Sequence, residues 1–161
     1  MRVYFLRHGI AWERGEWKGT EAERPLTKEG IAKMRSTAET LAHLDLDLDA
    51  IITSPLARAK ATAEIVADRL GVPSKLSEDK RLAHGFDADR LHAILREHAH
   101  AKAVMLVGHE PDLSDAIGTL IGGGRLALKK GGLALVELPD AESRHGELLW
   151  LLTPKWLASD S

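Results

Sequence analysis

The sequence predicts an α/β fold, a three-layer α/β/α sandwich around a mostly parallel central sheet, on two observations. Short apolar runs alternate with segments whose apolar residues recur at helical spacing, the pattern of a sheet covered by helices on both faces. The chain has 161 residues, 44% of them apolar, with 22 Lys+Arg against 24 Asp+Glu and a net charge of −2. That size and balance suit a single domain over residues 1–161, built around one core.

Val3–Leu6 is the first strand, and Ile10–Leu26 follows as an irregular stretch. Such a stretch is longer than connections in compact domains usually are, which makes it a candidate site loop. The first helix carries Ile31, Met34, Ala38 and Leu41 at i, i+3, i+7 and i+10, a single apolar stripe. Ala50–Thr53 is the second strand. Ser54 as N-cap and Pro55 as first helical residue open the second helix, and Gly71 and Pro73 stop it after Leu70. Lys75–Phe86 is the second long irregular stretch and the second candidate site loop. A third helix starts after Asp87 and buries Leu91, Ile94 and Leu95. Ala103–Val107 is the next strand, and a helix after Pro111 places Leu113, Ala116, Ile117, Leu120 and Ile121 on one side, ending at Gly122-Gly123-Gly124. Leu133–Leu138 and Leu148–Leu152 form an antiparallel hairpin around the Pro139–Gly146 turn, which makes the sheet mixed.

Several functions are excluded by composition. With no cysteine there are no disulfides, thiolate metal sites or thiolate nucleophiles. Near-neutral charge gives no bulk attraction to nucleic acid or acidic membrane. The run after Met1 is too short for a signal peptide and no long apolar stretch occurs, so a cytoplasmic protein with neither nucleic-acid nor membrane partner is expected. Asp45, Asp47 and Asp49 mimic half a calcium loop, but Ala50 stands where its glycine belongs and Leu56 where its glutamate belongs. His92, His98 and His100 are too irregularly spaced for a helical metal pair, and no Gly-Lys-Ser/Thr follows the glycine run. Lys129 and Lys130 are either solvated or add charge to a pocket mouth.

Open α/β sheets bind ligands beyond the carboxyl ends of their strands. Here three strands end in polar residues: Arg7-His8-Gly9, Ser54-Pro55 with Arg58 one turn on, and Gly108-His109-Glu110. On parallel neighbours, two histidines and two arginines converge at one edge. Arginine forks match phosphate oxygens, and a neutral imidazole offers a nucleophilic nitrogen. Gly9 would let the backbone pass close to the ligand.

Arg7-His8-Gly9, Arg24-Pro25-Leu26-Thr27 with Gly30, Ser54-Pro55-x-x-Arg58-Ala59 with Thr62-Ala63, and Gly108-His109, in that order, resemble the histidine phosphatase superfamily. The short length and the Arg-Pro-Leu-Thr segment resemble its SixA-like phosphohistidine phosphatase branch. Ala61 departs from the glutamine common before Thr62. The resemblance implies a phosphoglycerate-mutase-like fold and a mechanism needing no metal or other cofactor. His8 would become a phosphohistidine while Arg7, Arg58 and His109 hold the equatorial oxygens, with Arg24 a further phosphate or substrate contact. The general acid is open. The position where many relatives carry a glutamate aligns with His84, and Glu110 stands where another branch puts its acid, though a carboxylate there also suits a helix start. Trp12 and Trp17 either form an aromatic lip or pack on the sheet edge.

The implied substrate is a phosphorylated histidine of a signalling protein, such as a histidine-phosphotransfer domain. A small phosphorylated metabolite, such as a sugar or nucleotide phosphate, is the alternative. A silent phosphate- or phosphoprotein-binding domain is less in keeping with the residues, because binding alone needs only the arginines. Mutase activity is disfavoured by the short chain.

Overall fold

The computed structural model describes residues 1–158. Strands Arg2–Arg7 (β1), Ala50–Thr53 (β2), Leu76–Glu78 (β3), Ala103–Gly108 (β4), Leu133–Glu137 (β5) and Glu147–Leu152 (β6) form one sheet in the order β3-β2-β4-β1-β5-β6. The first four of that order run parallel, while β5 is antiparallel to β1 and to β6. The helices are Lys28–His43 (α1), Ala57–Arg69 (α2), Ala88–Glu97 (α3), Asp112–Leu120 (α4) and the short Pro154–Leu157 (α5).

Side chains on a strand alternate between faces, and this creates the layers. Val3 and Phe5 of β1 join the core under α3 and α4, whereas Tyr4 and Leu6 join the core under α1 and α2. All four are essentially inaccessible, at about 1.5–3 kcal/mol for each large apolar side chain so buried. Helix starts follow local chemistry: Thr27 Oγ1 accepts from Gly30 N at 2.9 Å, and the Asp87 carboxylate accepts from Arg90 N at 2.9 Å. No helix among the described residues is long and apolar enough to cross a membrane.

Two expectations change. The second helix begins at Ala57, not at Pro55, and Ser54 is not its cap. Ser54 Oγ accepts from Leu56 N at 3.2 Å and turns to His109 instead; a tertiary partner overrides a local preference. The stretch Lys75–Phe86 is also not irregular throughout, since it holds β3 and a tight turn at Lys80–Leu82. β3 is a three-residue edge strand with no fully buried position, so it leaves no hydrophobic signal. Ile31 in α1 and Ile121, just past the end of α4, are only half-buried, while Gly30 and Thr37 join the buried face of α1.

Candidate active site

β4 lies between β1 and β2, and the ladder aligns their carboxyl ends. Arg7 pairs with Gly108, and Thr53 pairs with Val107. Beyond the strands the stitching continues: His8 N donates to Gly108 O at 3.1 Å, and Ser54 N donates to Val107 O at 3.0 Å. His8, His109 and the Ser54–Arg58 segment therefore emerge at one edge. They meet a cavity of about 300 Å³ lined by Arg7, His8, Arg24, Arg58, His84, His109 and Glu110. Glu13, Arg14 and Gly15 of the first long loop and Lys130 complete its wall.

His8 is 7% exposed, and its Nδ1 lies 2.7 Å from the Gly9 carbonyl. A carbonyl only accepts, so Nδ1 carries the proton and Nε2 keeps its lone pair. Burial pushes the His8 pKa down to about 3, helped by the positive charges of Arg58, Arg7 and Arg24. The ring is neutral near pH 7 as a result. His109 is 2% exposed and lies against His8 with ring centroids 5.3 Å apart. Burial, then the proximity of His8 and Arg58, lowers its pKa to about 3 as well.

The arginines are held from behind. Glu21 receives Arg24 Nε at 3.0 Å and Nη2 at 2.9 Å, and its Oε1 stands 3.1 Å from Arg58 Nη2. Its backbone carbonyl accepts from Arg58 Nη1 at 3.0 Å. The hydrogen bonds from Arg24 hold the Glu21 carboxyl well below the usual range, at about 2. Arg7 Nη1 donates to Leu128 O at 3.0 Å. Among the described residues, four buried side-chain nitrogens or oxygens lack a protein partner: Arg7 Nε, Arg58 Nε, His109 Nδ1 and His92 Nδ1. Three of these belong to residues that line the cavity, and unpaired polar groups gathered at one place are what a bound ligand would be expected to meet.

The remaining sequence candidates fall at distinct places. Gly9 does not line the cavity; a Cβ there would meet Met34 Cγ at 2.6 Å, so its missing side chain admits α1. Glu110 lines the cavity, but its carboxylate accepts from Ser114 N at 3.0 Å and from the Ser114 hydroxyl, holding the first turn of α4. His84 is exposed, with its ring 5.3 Å from that of His109. Lys130 is at the mouth, 4.0 Å from Glu13 across it. Trp12 N donates to Pro25 O, Trp12 O accepts from Arg24 Nη1 at 2.6 Å, and the residue remains 42% exposed between the cavity-lining Ala11 and Glu13. Trp17 is half-buried and donates to Thr20 O. Among the described residues no group of three or more His, Cys, Asp or Glu side chains is arranged to hold a metal ion. Glu21 is a site residue that the sequence did not disclose, as are Glu13, Arg14 and Gly15 of the cavity wall. They sit in an irregular loop, where no periodicity marks them.

The family model for the histidine phosphatase superfamily (branch 1) matches residues 3–84. An uncharacterized protein of Picosynechococcus sp. is 36% identical, the alignment covering 98% of this chain and 99% of that protein. The phosphohistidine phosphatase SixA of Escherichia coli is 27% identical over 96% of this chain and 94% of its own length. Among solved structures, the protein histidine phosphatase SixA complexed with tungstate superposes with a TM-score of 0.86 at 26% identity, covering 96% of this chain and 98% of that one. The α-ribazole phosphatase from Shigella flexneri shares the fold, with a TM-score of 0.75 at 20% identity over 96% and 97% of the two chains.

Proposed function

The chain belongs to the histidine phosphatase superfamily, and from that premise we propose that it hydrolyses phosphohistidine on a cytoplasmic signalling protein through a covalent intermediate on His8. The observation that carries the proposal is the tautomer of His8. Its Nδ1 is committed to Gly9 O, so the lone pair of Nε2 is left free in a cavity that Arg7 and Arg58 also line, each with an Nε that has no protein partner.

In the proposed reaction Nε2 attacks phosphorus in line with the scissile P–N bond. As the new P–N bond forms, the old one breaks and its electron pair leaves with the substrate imidazole, which takes up a proton. Arg7, Arg58, Arg24 and His109 hold the phosphoryl oxygens, so that positioning and fixed positive charge supply most of the acceleration. Water then attacks the phosphorus of phosphorylated His8, the P–N bond breaks with its electron pair returning to Nε2, the proton lost by water passes to the group that protonated the leaving imidazole, and inorganic phosphate is released from the neutral ring. No metal or other cofactor enters these steps. For the leaving-group proton we assign His84 over Glu110, whose carboxylate is already engaged by Ser114. Imidazole is a far weaker base than an alkoxide and asks less of that acid.

Protein substrate is supported by the size of the cavity and by its rim. About 300 Å³ is the low end for a small-molecule pocket, room for a phosphoryl group and its imidazole. Trp12 stands exposed beside it on a backbone held at both its N–H and its carbonyl, the arrangement of an interface anchor. A small phosphomonoester is the second reading, supported by the fold shared with the α-ribazole phosphatase.

The test is to incubate the protein with a chromogenic aryl phosphate and trap an acid-labile, base-stable phosphoenzyme. Turnover that survives His8→Ala at a comparable rate would remove His8 as nucleophile. Turnover of small phosphate esters orders of magnitude faster than that of a phosphorylated histidine-phosphotransfer domain would replace the first substrate with the second.

A further inference from the structure

Ser54 is fully buried, and its Oγ has two partners, Leu56 N at 3.2 Å and His109 Nε2 at 2.8 Å. The Leu56 N–H only donates, so the hydroxyl accepts there. The proton of the hydroxyl is then left with one acceptor, Nε2 of His109, and leaving a buried hydroxyl proton unpaired carries a desolvation penalty. A ring nitrogen that accepts does not hold the proton of a neutral imidazole, so in His109 that proton is on Nδ1. Nδ1 is buried and has no protein partner, while the ring lies against His8 and lines the cavity.

We infer that Ser54 is a positioning residue that fixes His109 as a neutral Nδ1–H donor, and that this N–H, rather than an imidazolium charge, meets the phosphoryl group. The two site histidines then share one tautomer and use it in opposite ways. In His8 the Nδ1–H is taken by Gly9 O and the lone pair is free; in His109 the lone pair is taken by Ser54 and the N–H is free. Two rings so prepared neither repel one another nor compete for a proton. A protonated His109 would turn Nε2–H toward Ser54 and strand the hydroxyl proton. Burial and the nearby Arg58 disfavour that form too.

The contact with a phosphoryl group rests on the phosphatase reading, but the tautomer does not, and the experiment separates them. Full-length protein with isotopically labelled histidine is examined by long-range proton–nitrogen NMR near neutral pH, and His109 is assigned by its absence from the His109→Gln spectrum. The expected result is a pyrrole-type Nδ1 and a pyridine-type Nε2 in the wild type, with the Nδ1–H resonance displaced when inorganic phosphate or tungstate is added. In Ser54→Ala the ratio of the Nδ1–H to the Nε2–H tautomer should fall roughly two- to tenfold, the bias one net hydrogen bond supplies. The kcat/KM for an aryl phosphate should fall in proportion to the remaining Nδ1–H fraction, because only the competent tautomer binds. Ser54→Thr keeps the hydroxyl and should restore both. A pyridine-type Nδ1 in the wild type, or an unchanged tautomer in Ser54→Ala, overturns the inference. The expected tautomer without any turnover supports it while removing the phosphatase reading. Turnover with the opposite tautomer does the reverse.

Discussion

Acidification from pH 7 to pH 5 should remove about 4 kcal/mol of folding stability through His8 and His109 together. Both are held at about 3 in the fold, chiefly by burial, whereas in the unfolded chain each titrates near 6.5. Above the unfolded value the rings are neutral in both states and stability does not depend on them. Between about 6.5 and 3 the unfolded chain binds a proton that the folded chain refuses, so stability falls with pH. The limiting slope is about 1.4 kcal/mol per pH unit for each histidine. Integrated from pH 7 to 5, that is about 2 kcal/mol each, a large share of the roughly 5–15 kcal/mol typical of a native protein. Burial lowers the His92 pKa in the same sense, so the measurement must be differential. Urea melts at pH 7, 6 and 5 should be compared for wild type, His8→Asn and the His8→Asn/His109→Asn double variant. Each substitution should reduce the loss between pH 7 and pH 5 by about 2 kcal/mol. An acid slope in the double variant equal to that of wild type would refute the reasoning. In the proposed catalysis the same neutrality keeps the nucleophile's lone pair available, so kcat/KM should show no acid limb from His8 near its ordinary pKa.

Two further perturbations test the scaffold. A Cβ on Gly30 would stand 2.0 Å from Ile10 O and 2.9 Å from Ile10 C, so Gly30→Ala must push the segment after His8 aside. Thermal melts should show a loss of about 1–3 kcal/mol or more, and aryl phosphate turnover should fall on the order of a hundredfold, as for a displacement near 1 Å; unchanged activity would mean that the segment does not position His8. Glu21→Ala removes the carboxylate shared by Arg24 and Arg58. Its side chain is 40% exposed and screened, so stability should fall by only about 1–2 kcal/mol, while KM for aryl phosphate should rise about tenfold or more with Glu21→Gln in between. A KM unaffected by both substitutions would show that the arginines orient themselves.

What was legible in the sequence divides along the range of the interactions. β1 and β4 are buried on both faces, so continuous apolar runs mark them, and Asp87 caps α3 by contacts within its own first turn. Arg7, His8, Arg58 and His109 could be found because they follow strand ends that a parallel sheet must bring together. Arg24 came instead from its motif, and the structure places it at the same cavity. Ser54 was misplaced for the opposite reason: a Ser-Pro pair is a local helix-start signal, and the group that claims its hydroxyl lies at His109, far along the chain. β3 and Glu21 were invisible because pairing to an edge and clamping two arginines leave no periodic trace. The sequence offers both His84 and Glu110, and the contact of Glu110 with Ser114, which no sequence pattern marks, separates their surroundings.

The pairing of Arg7 with Gly108 and of Thr53 with Val107 has a consequence for how the protein can fail. A slip of β4 by one residue would carry His109 about 3.3 Å along the strand and turn every side chain of the strand to the opposite face. A molecule so misregistered could remain compact and rich in sheet, yet its two histidines would no longer face one another. Turnover is therefore a stricter reporter of correct strand alignment during refolding than any measure of secondary structure.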